Sequence, residues 1–519
     1  MLNDFAGGLK QMHTSKKLVS ALLLSVLWTS TVSAQSNTNA RGIETPPDLD
    51  RVIAELHKAF YPEALAPGVA VVVVKDSRVI LLKGYGYANL ESKRPITPQT
   101  AFYIASSTKP FFALALALMD QKGQLSLDAP LSSYLPNLKL QAPLSTDAIK
   151  LRNLLTHTHG ISDGPVDFRM SFTGQGTQSE LMALLAEHPR SKTGNDFAYS
   201  NLGYQIASMA VESKLKQNWK DVLQSTVLDP LGMKNTSTYL SRVKTEELAL
   251  PYFAGAGDYQ PLHYAKADAN MHAAGGMITT AEDVAKWLQV NINNGKLGGR
   301  QVFPASVLAE THRLQADQDS QFAWVRRYGY GLGWNIGSYE GETLIHHHGG
   351  FSAFYAHVSF MPKQRLGVAV LANEILFGDN FTESVAEYIY DTLLDLPGMK
   401  FRWEKRLAAG PQVSKRERER IASERARRAG RQRPLPYSLE SYAGVYEHPQ
   451  AGRMEWRVQN GKLAVSMGPL WSEAEVFDAA KNEMRVELTP GRGIVIGFEF
   501  ADGKAVSLTY GSYKFKRVS

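Results

Sequence analysis

Apolar positions change their spacing along the chain, and each change marks an element. Val69 to Val74 is an unbroken apolar run of strand length, and Val79 to Lys83 is a second. The polar Lys75-Asp76-Ser77-Arg78 between them reads as a turn, and the Gly/Tyr-rich Gly84 to Asn89 extends the hairpin. Ahead of them, after Pro46-Pro47, Leu49, Val52, Ile53, Leu56 and Phe60 recur at helical spacing. Phe111 to Met119 is almost continuously apolar, ends near Gly123 and is too long for a buried strand, so it predicts a buried helix. From Leu151 to about Asn294 the reading is largely helical. Within it Ala281 to Leu288 predicts a surface helix capped by Thr279 or Thr280. Strands return after Tyr328, at Gly331 to Ile336, Thr343 to His346, Phe354 to Met361 and Leu366 to Ala372, with a closing helix at Thr382 to Leu394. Strands at both ends with helices between predict an α+β fold: one antiparallel sheet flanked by helices, with an inserted, mostly helical region.

The pattern then breaks. Ser414 to Arg433 is rich in Arg and Glu and poor in apolar residues. A basic patch for a polyanion is one reading. Interleaved Glu and the lack of aromatics favour a solvated linker helix with pairs such as Glu424 with Arg428, or simple disorder. After Pro436 the chain turns all-β, with strands at Tyr442–Tyr446, Glu455–Val458, Leu463–Ser466, Met484–Leu488, Ile494–Phe500 and Val506–Tyr510. Asn460-Gly461 and Asp502-Gly503 are hairpin turns, because both residue types tolerate positive φ. A small barrel or meander follows from this spacing.

At the other end, Lys16-Lys17, the apolar Leu18 to Trp28 and the small-residue Val32-Ser33-Ala34 stand in the order of a secretory signal peptide. A buried amphipathic helix is the plainer alternative. Translation starts at Met1 or at Met12. The domain reading is therefore a signal peptide over 1–34, a main domain over 35–399, a charged linker over 400–435 and a β domain over 436–519. The expectation is an exported protein, periplasmic or secreted, with no membrane span once the signal is removed. The 519 residues are too many for one ordinary core. A net charge of +7 is modest at this length and gives no case for nucleic acid as a partner. The absence of cysteine removes disulfides, thiol nucleophiles and Cys-ligated zinc together.

Three short motifs carry chemistry. Ser106 and Lys109, in Ser106-Ser107-Thr108-Lys109, stand one turn apart where the chain enters the buried helix. An amine beside a hydroxyl can take its proton and make it a usable nucleophile. About two such Ser-x-x-Lys strings are expected by chance in a chain this long, and Ser213 to Lys216 is the decoy, well inside a helix. Tyr199-Ser200-Asn201 follows. A phenol near a cation can relay a proton, and an asparagine offers a donor and an acceptor to a substrate amide. The plain reading is a helix-capping turn beside a packed tyrosine. Third comes His346-His347-His348-Gly349-Gly350 between two strands, where glycine lets a substrate approach the backbone. As a metal site the triplet is poor, since neighbours on a strand face opposite sides. His157-Thr158-His159 lacks the carboxylate that a metallohydrolase needs at tight spacing. Both histidine clusters otherwise read as polar turns.

Each motif is weak alone, but their order resembles that of the serine hydrolases related to class C β-lactamases, DD-peptidases and D-aminopeptidases. The resemblance spans roughly residues 48–398. It is supported by Gly84 to Asn89, Leu154 to Thr158, Ala274-Gly275-Gly276-Met277 and Tyr330 to Trp334. It implies Ser106 as the acylated serine, Lys109 as its partner, Tyr199 as general base and acid, and Asn201 as a substrate-binding residue. It also implies that His347 and Gly349 stand in the third motif and that the backbone N–H groups of Ser106 and Gly350 form the oxyanion hole. The C-terminal β region resembles the lipocalin-like domain appended to some of these enzymes. No cofactor is implied, and the partner is a small-molecule or peptide substrate. Where relatives often carry lysine, His347 removes a permanent cation. An esterase, amidase or peptidase is therefore favoured over a strong β-lactamase. Relatives often have Ser where His159 stands and Gly where Ala353 stands, so Ala353 is expected to narrow the cleft. The alternatives are a transacylase, a penicillin-binding sensor or a catalytically silent binding protein. Substrate stereochemistry and oligomeric state are open at this level.

Overall fold

The computed structural model describes residues 47–519 apart from 163, 188–189, 192–195 and 432–433. The signal-peptide expectation lies outside the described residues.

The chain opens with helix α1 (Pro47–Phe60) and the hairpin β1 (Val69–Lys75) and β2 (Arg78–Tyr85). The buried helix α2 is Lys109–Gln121, followed in the helical region by α3 (Asn201–Leu215) and α4 (Ala281–Ile292). Six strands then run in sequence: β3 (Ala316–Phe322), β4 (Val325–Tyr330), β5 (Asn335–Tyr339), β6 (Glu342–Phe351), β7 (Phe354–Met361) and β8 (Leu366–Ala372). Helix α5 (Gly378–Leu393) and the long α6 (Met399–Ala429) close the region. The eight strands form one antiparallel sheet in the order β3-β4-β5-β6-β7-β8-β1-β2, so the two ends of the domain meet where β8 pairs β1, Val71 opposite Val370.

Helices cover both faces of this sheet, which explains the unbroken apolar run of β1. Ala70, Val72 and Val74 face the core shared with α2 and α4, while Val69, Val71 and Val73 face the core shared with α1 and α5. Helix α2 is buried from Lys109 to Met119, so it shows no polar face. Phe111 stacks on Trp287 of α4 at 3.8 Å between ring centroids.

Three expectations need correction. Helix α4 is capped by Thr280, whose Oγ1 accepts from the Asp283 amide at 3.1 Å, but it is not a surface helix. Ala281, Val284, Trp287 and Leu288 are among its buried residues, because it packs between α2 and the sheet. The strand expected at Gly331 to Ile336 begins only at Asn335. Leu332 to Trp334 is apolar because it is a buried turn. Gly333 there abuts α2 so closely that a Cβ would lie 2.7 Å from the Pro110 Cα. Over Met399–Ala429 the charged segment is the helix expected of it, but not a solvated one, because α6 straps α1 and α5 together. Trp403 is buried with its Nε1 donating to Asp391 at 2.7 Å, Ser414 donates to the Phe60 carbonyl at 3.0 Å, and Arg418 pairs with Glu63 at 2.9 Å. Glu424 pairs with Arg427, while the Nε of Arg428 reaches Glu475 at 2.8 Å.

Beyond α6, nine antiparallel strands between Gly444 and Arg517 form a nearly closed barrel. Its end strands, Leu470–Glu473 and Glu475–Asp478, are consecutive in the chain, and the Glu487 amide donates to Ser472 Oγ at 2.8 Å across the seam. Asn460, Gly461, Asp502 and Gly503 all have positive φ, as their hairpins require. The barrel rests on the helical region. Gln175 exchanges two hydrogen bonds of 2.9 Å with the backbone of Arg453, and Phe168 and Ala265 join the barrel's own core.

Phe111→Ala deletes a fully buried ring from this arrangement. The expected cost is about 3–5 kcal/mol of stability, read as a lowered urea midpoint by tryptophan fluorescence. A loss below about 1 kcal/mol would show that the Phe111–Trp287 stack carries little of the core.

Candidate active site

The turn Ala105–Thr108 runs straight into α2, so Ser106 and Lys109 sit one turn apart at the helix entrance. Ala105 holds φ at +44°, a strained value for a residue with a side chain, immediately before Ser106. Strand β6 approaches from the other side. A Cβ on Gly349 would lie 2.0 Å from the Ile104 carbonyl oxygen, so only glycine lets the strand seat against this turn. Ser107 Oγ donates to the His347 carbonyl at 3.2 Å and ties the two together.

Lys109 is the centre of the cluster and is fully buried. Its Nζ lies 3.0 Å from Ser106 Oγ, 2.7 Å from Asn201 Oδ1 and 2.7 Å from the Ala274 carbonyl oxygen. Burial pushes its pKa well below the ordinary lysine value, partly opposed by the charge of Asp167. A neutral amine has two N–H groups and one lone pair. Asn201 and Ala274 can accept only, so they take the two N–H bonds and leave the lone pair for the Ser106 hydroxyl proton. The Tyr199 ring lies 4.8 Å from Nζ. Tyr199 as a residue is 40% exposed. At its inner end, burial pushes the phenol upward, and a hydrogen bond with Ser106 opposes this. Asn201 opens α3 behind the Ser200 cap and spends its carbonyl end on Lys109.

His347 is buried, with Nδ1 2.8 Å from the His348 carbonyl oxygen and Nε2 3.3 Å from the Tyr330 hydroxyl. The carbonyl can only accept, so Nδ1 carries the proton and Nε2 accepts from Tyr330. Burial first, and then the nearby Lys109 charge, push its pKa well down, so His347 is neutral. Its neighbours face the other side of the sheet. His346 Nε2 accepts from Arg327 at 3.2 Å, and His348 meets Asp379 and Glu383 at 3.2 and 3.4 Å. His157 and His159 accept backbone amides through Nδ1, from Ser200 at 3.2 Å and Ile161 at 3.1 Å. Among the described residues no group of three or more His, Cys, Asp or Glu side chains is arranged to hold a metal ion. Ala353 does not narrow the cleft: it is fully buried in the turn after Phe351, at φ +76°.

The structure thus brings Ser106, Lys109, Tyr199, Asn201, His347 and Gly349 together. Gly350 follows on β6, opposite Tyr355. The sequence reading had assigned no role to the Ala274 carbonyl, although its Ala-Gly-Gly-Met stretch stood out. It also missed the buried network around Asp167, whose Oδ1 accepts from Ser171 Oγ at 2.9 Å and Gln205 Nε2 at 2.8 Å. A lone aspartate in an irregular helical stretch gives no sequence signal for that place.

An antiparallel sheet with Ser-x-x-Lys at the mouth of a buried helix, faced by a glycine-bearing strand, defines the β-lactamase and transpeptidase fold. Residues 49–381 match the family described as beta-lactamase, and the chain belongs to that family. It is similar to Protein flp of Staphylococcus aureus (strain COL), 27% identical over 310 residues, or 59% of this chain. The match also spans 59% of Protein flp, so the chain covers about three-fifths of that relative's length. It is likewise 27% identical over 376 residues to the unguisins hydrolase ungD' of Aspergillus campestris, covering 69% of this chain and 68% of that one. Among solved structures, the octameric penicillin-binding protein homologue from Pyrococcus abyssi superposes with a TM-score of 0.56 at 22% identity, covering 90% of this chain and 99% of that one. The D-amino acid amidase from Ochrobactrum anthropi SV3 gives 0.56 at 22% identity, covering 67% and 99%.

The charge of Asp167 favours the ammonium form of Lys109, so Asp167→Asn lowers the proton affinity of Lys109 further. Reactivity of Ser106 needs the neutral amine and rises as pH rises through the Lys109 pKa. The acid limb of Ser106 labelling by a fluorophosphonate is expected to move to lower pH in Asp167→Asn, by up to about one unit. A limb that stays or moves upward would remove Asp167 from the site's electrostatics.

Proposed function

We propose that the protein is a serine hydrolase that cleaves amide, peptide or ester carbonyls through an acyl-enzyme on Ser106. The observation that carries this reading is the buried Lys109 amine, 3.0 Å from Ser106 Oγ and held by two acceptors that leave its lone pair to the serine. Ser106 Oγ attacks the carbonyl carbon as its proton passes to Lys109. The oxyanion rests on the backbone N–H groups of Ser106 and Gly350. The carbonyl–leaving-group bond then breaks as Tyr199 donates its phenolic proton to the leaving group and regains one from Lys109. In the second half, water attacks the acyl carbon and gives its proton to the same Tyr199–Lys109 pair. The acid leaves and Ser106 is restored, so protons balance over the cycle.

A neutral His347 offers no fixed cation for a carboxylate at its end of the cleft. This supports peptides, amides and esters over β-lactams as substrates. The relatives described as a D-amino acid amidase and an unguisins hydrolase point the same way. We also place the protein among exported ones, on the order of basic, apolar and small residues over 16–34.

The test is intact-protein mass after treatment with a fluorophosphonate, for wild type and Ser106→Ala. One adduct on wild type and none on the variant is expected. A folded wild type that takes no adduct would overturn the hydrolase reading and leave a binding protein in its place.

A further inference from the structure

We propose that Lys266 forms an anion-recognising subsite on the acyl side of the cleft, selecting substrates whose acyl group carries a carboxylate. This rests on the serine-hydrolase reading and adds a substrate class to it.

Lys266 is only 6% exposed, yet among the described residues its Nζ has a single hydrogen-bond acceptor, the Ser171 carbonyl oxygen at 3.1 Å. Three aromatic rings surround the amine: Phe351 at 4.1 Å, Tyr103 at 5.1 Å and Phe172 at 5.8 Å from their centroids. Ring faces favour a cation but do not replace a counter-charge, and a buried ammonium without one is costly. No carboxylate among the described residues offsets the effect of burial, which pushes the amine down to about 7. The titratable groups around it do not compete as anions. Burial pushes the Tyr103 and Tyr264 phenols up and the nearby His272 down. The position therefore lacks one thing, a negative charge brought from outside.

Two of the segments around Lys266, and its own loop, also build the catalytic site. Tyr103 precedes Ser106 by three residues, Phe351 follows Gly349 by two, and the Lys266 loop runs on to Ala274, whose carbonyl holds Lys109. Ser171 also bonds Asp167 and Gln205, and Gln205 is one turn beyond Asn201 on α3. Tyr199, the proton donor to the leaving group, lies 6.2 Å from His347 between ring centroids, so the leaving group departs at that end of β6. Phe351 is four residues further, about 13 Å along the strand. A substrate laid along β6 therefore extends its acyl group toward Lys266. Phe351 is half-buried, and the turn after it holds Ser352 and Ala353 at φ +42° and +76°. It is the member of the cage that an incoming carboxylate displaces.

The test compares 4-nitrophenyl hexanoate with 4-nitrophenyl hydrogen adipate, two esters of one phenol that differ by a terminal carboxylate. Wild type is expected to favour the adipate in kcat/KM by at least about tenfold. The preference fades as pH rises and Lys266 loses its proton. Lys266→Met keeps the stem and removes the charge, so it is expected to abolish the preference while hydrolysing the hexanoate within about twofold of wild type. Lys266→Gln is the second variant should the first not fold. No preference in wild type, or an unchanged one in the variant, would overturn the proposal. Calorimetric titration of monomethyl adipate into Ser106→Ala, with and without Lys266→Met, reads the subsite without turnover. Affinity is expected to fall at least about tenfold with the second substitution, and to be weaker at about pH 8.5 than at about pH 6. Equal affinities would sink the subsite, whereas failure of both esters alongside a Lys266-dependent affinity would sink the hydrolase reading alone.

Discussion

An amine sealed from water must find its hydrogen bonds inside the protein, and the amine of Lys109 is fully buried. Its partners come from its own turn and two distant stretches: Ser106 one turn away, Asn201 at the first turn of α3, and the Ala274 carbonyl. Bringing those stretches to one point dictates much of the rest. Helix α2 must be covered on every side, so it is apolar from Phe111 to Met119. Strand β6 must close against the turn bearing Ser106, so position 349 is glycine. The Ser200 cap fixes where α3 starts and hence where Asn201 points. The same convergence leaves the lone pair of a neutral amine to the Ser106 hydroxyl, because its other two partners can only accept protons.

Much of this was legible in the sequence for physical reasons. The sheet's central strands and α2 are buried on both sides, so their apolar runs are long and unmistakable. Ser106, Lys109, Tyr199 and Asn201 stood at element boundaries, where short motifs are forced into one geometry. What was missed lay where burial and pattern part company. Strand β3, Ala-Asp-Gln-Asp-Ser-Gln-Phe, is a sheet edge and alternates nothing apolar. In the barrel, Leu470–Glu473, Glu475–Asp478 and Tyr513–Arg517 are too short or too charged to announce themselves. Helix α6 reads as a solvated run because its buried contacts are made by Trp403, Ser414, Arg418 and Ile421, only two of them apolar. Carboxylates on α5 and after α1 satisfy its arginines, and no local pattern encodes partners that far away.

The histidine triplet shows how strand geometry divides three identical residues between two tasks. Alternation puts His347 toward Ser106 and puts His346 and His348 on the opposite face. His347 is surrounded by Tyr330, Tyr199 and the Lys109 amine, and is held neutral. On the far face burial also works against charge on His348, but Glu383 and Asp379 outweigh it and raise its pKa. His357, opposite His348 in the pairing register, meets Glu383 at 2.8 Å and extends the same network. The histidine of this strand whose surroundings favour charge therefore points away from the cleft, and the residue facing the cleft is a fixed tautomer set by its two hydrogen bonds.

Two buried lysines, Lys109 and Lys266, are told apart by their surroundings. Both are pushed toward neutrality by burial. Lys109 has three polar partners placed so that the neutral amine is fully satisfied, with its lone pair toward Ser106. Lys266 has one carbonyl and three ring faces, an environment that satisfies neither form. Its neutral form wastes an N–H among aromatic carbons, and its charged form lacks a counter-ion. A site incomplete in both protonation states is one that a ligand completes, and a carboxylate does so by favouring the ammonium. With a neutral His347 at the leaving-group end, the charge that selects a substrate has moved to the acyl end of the same strand.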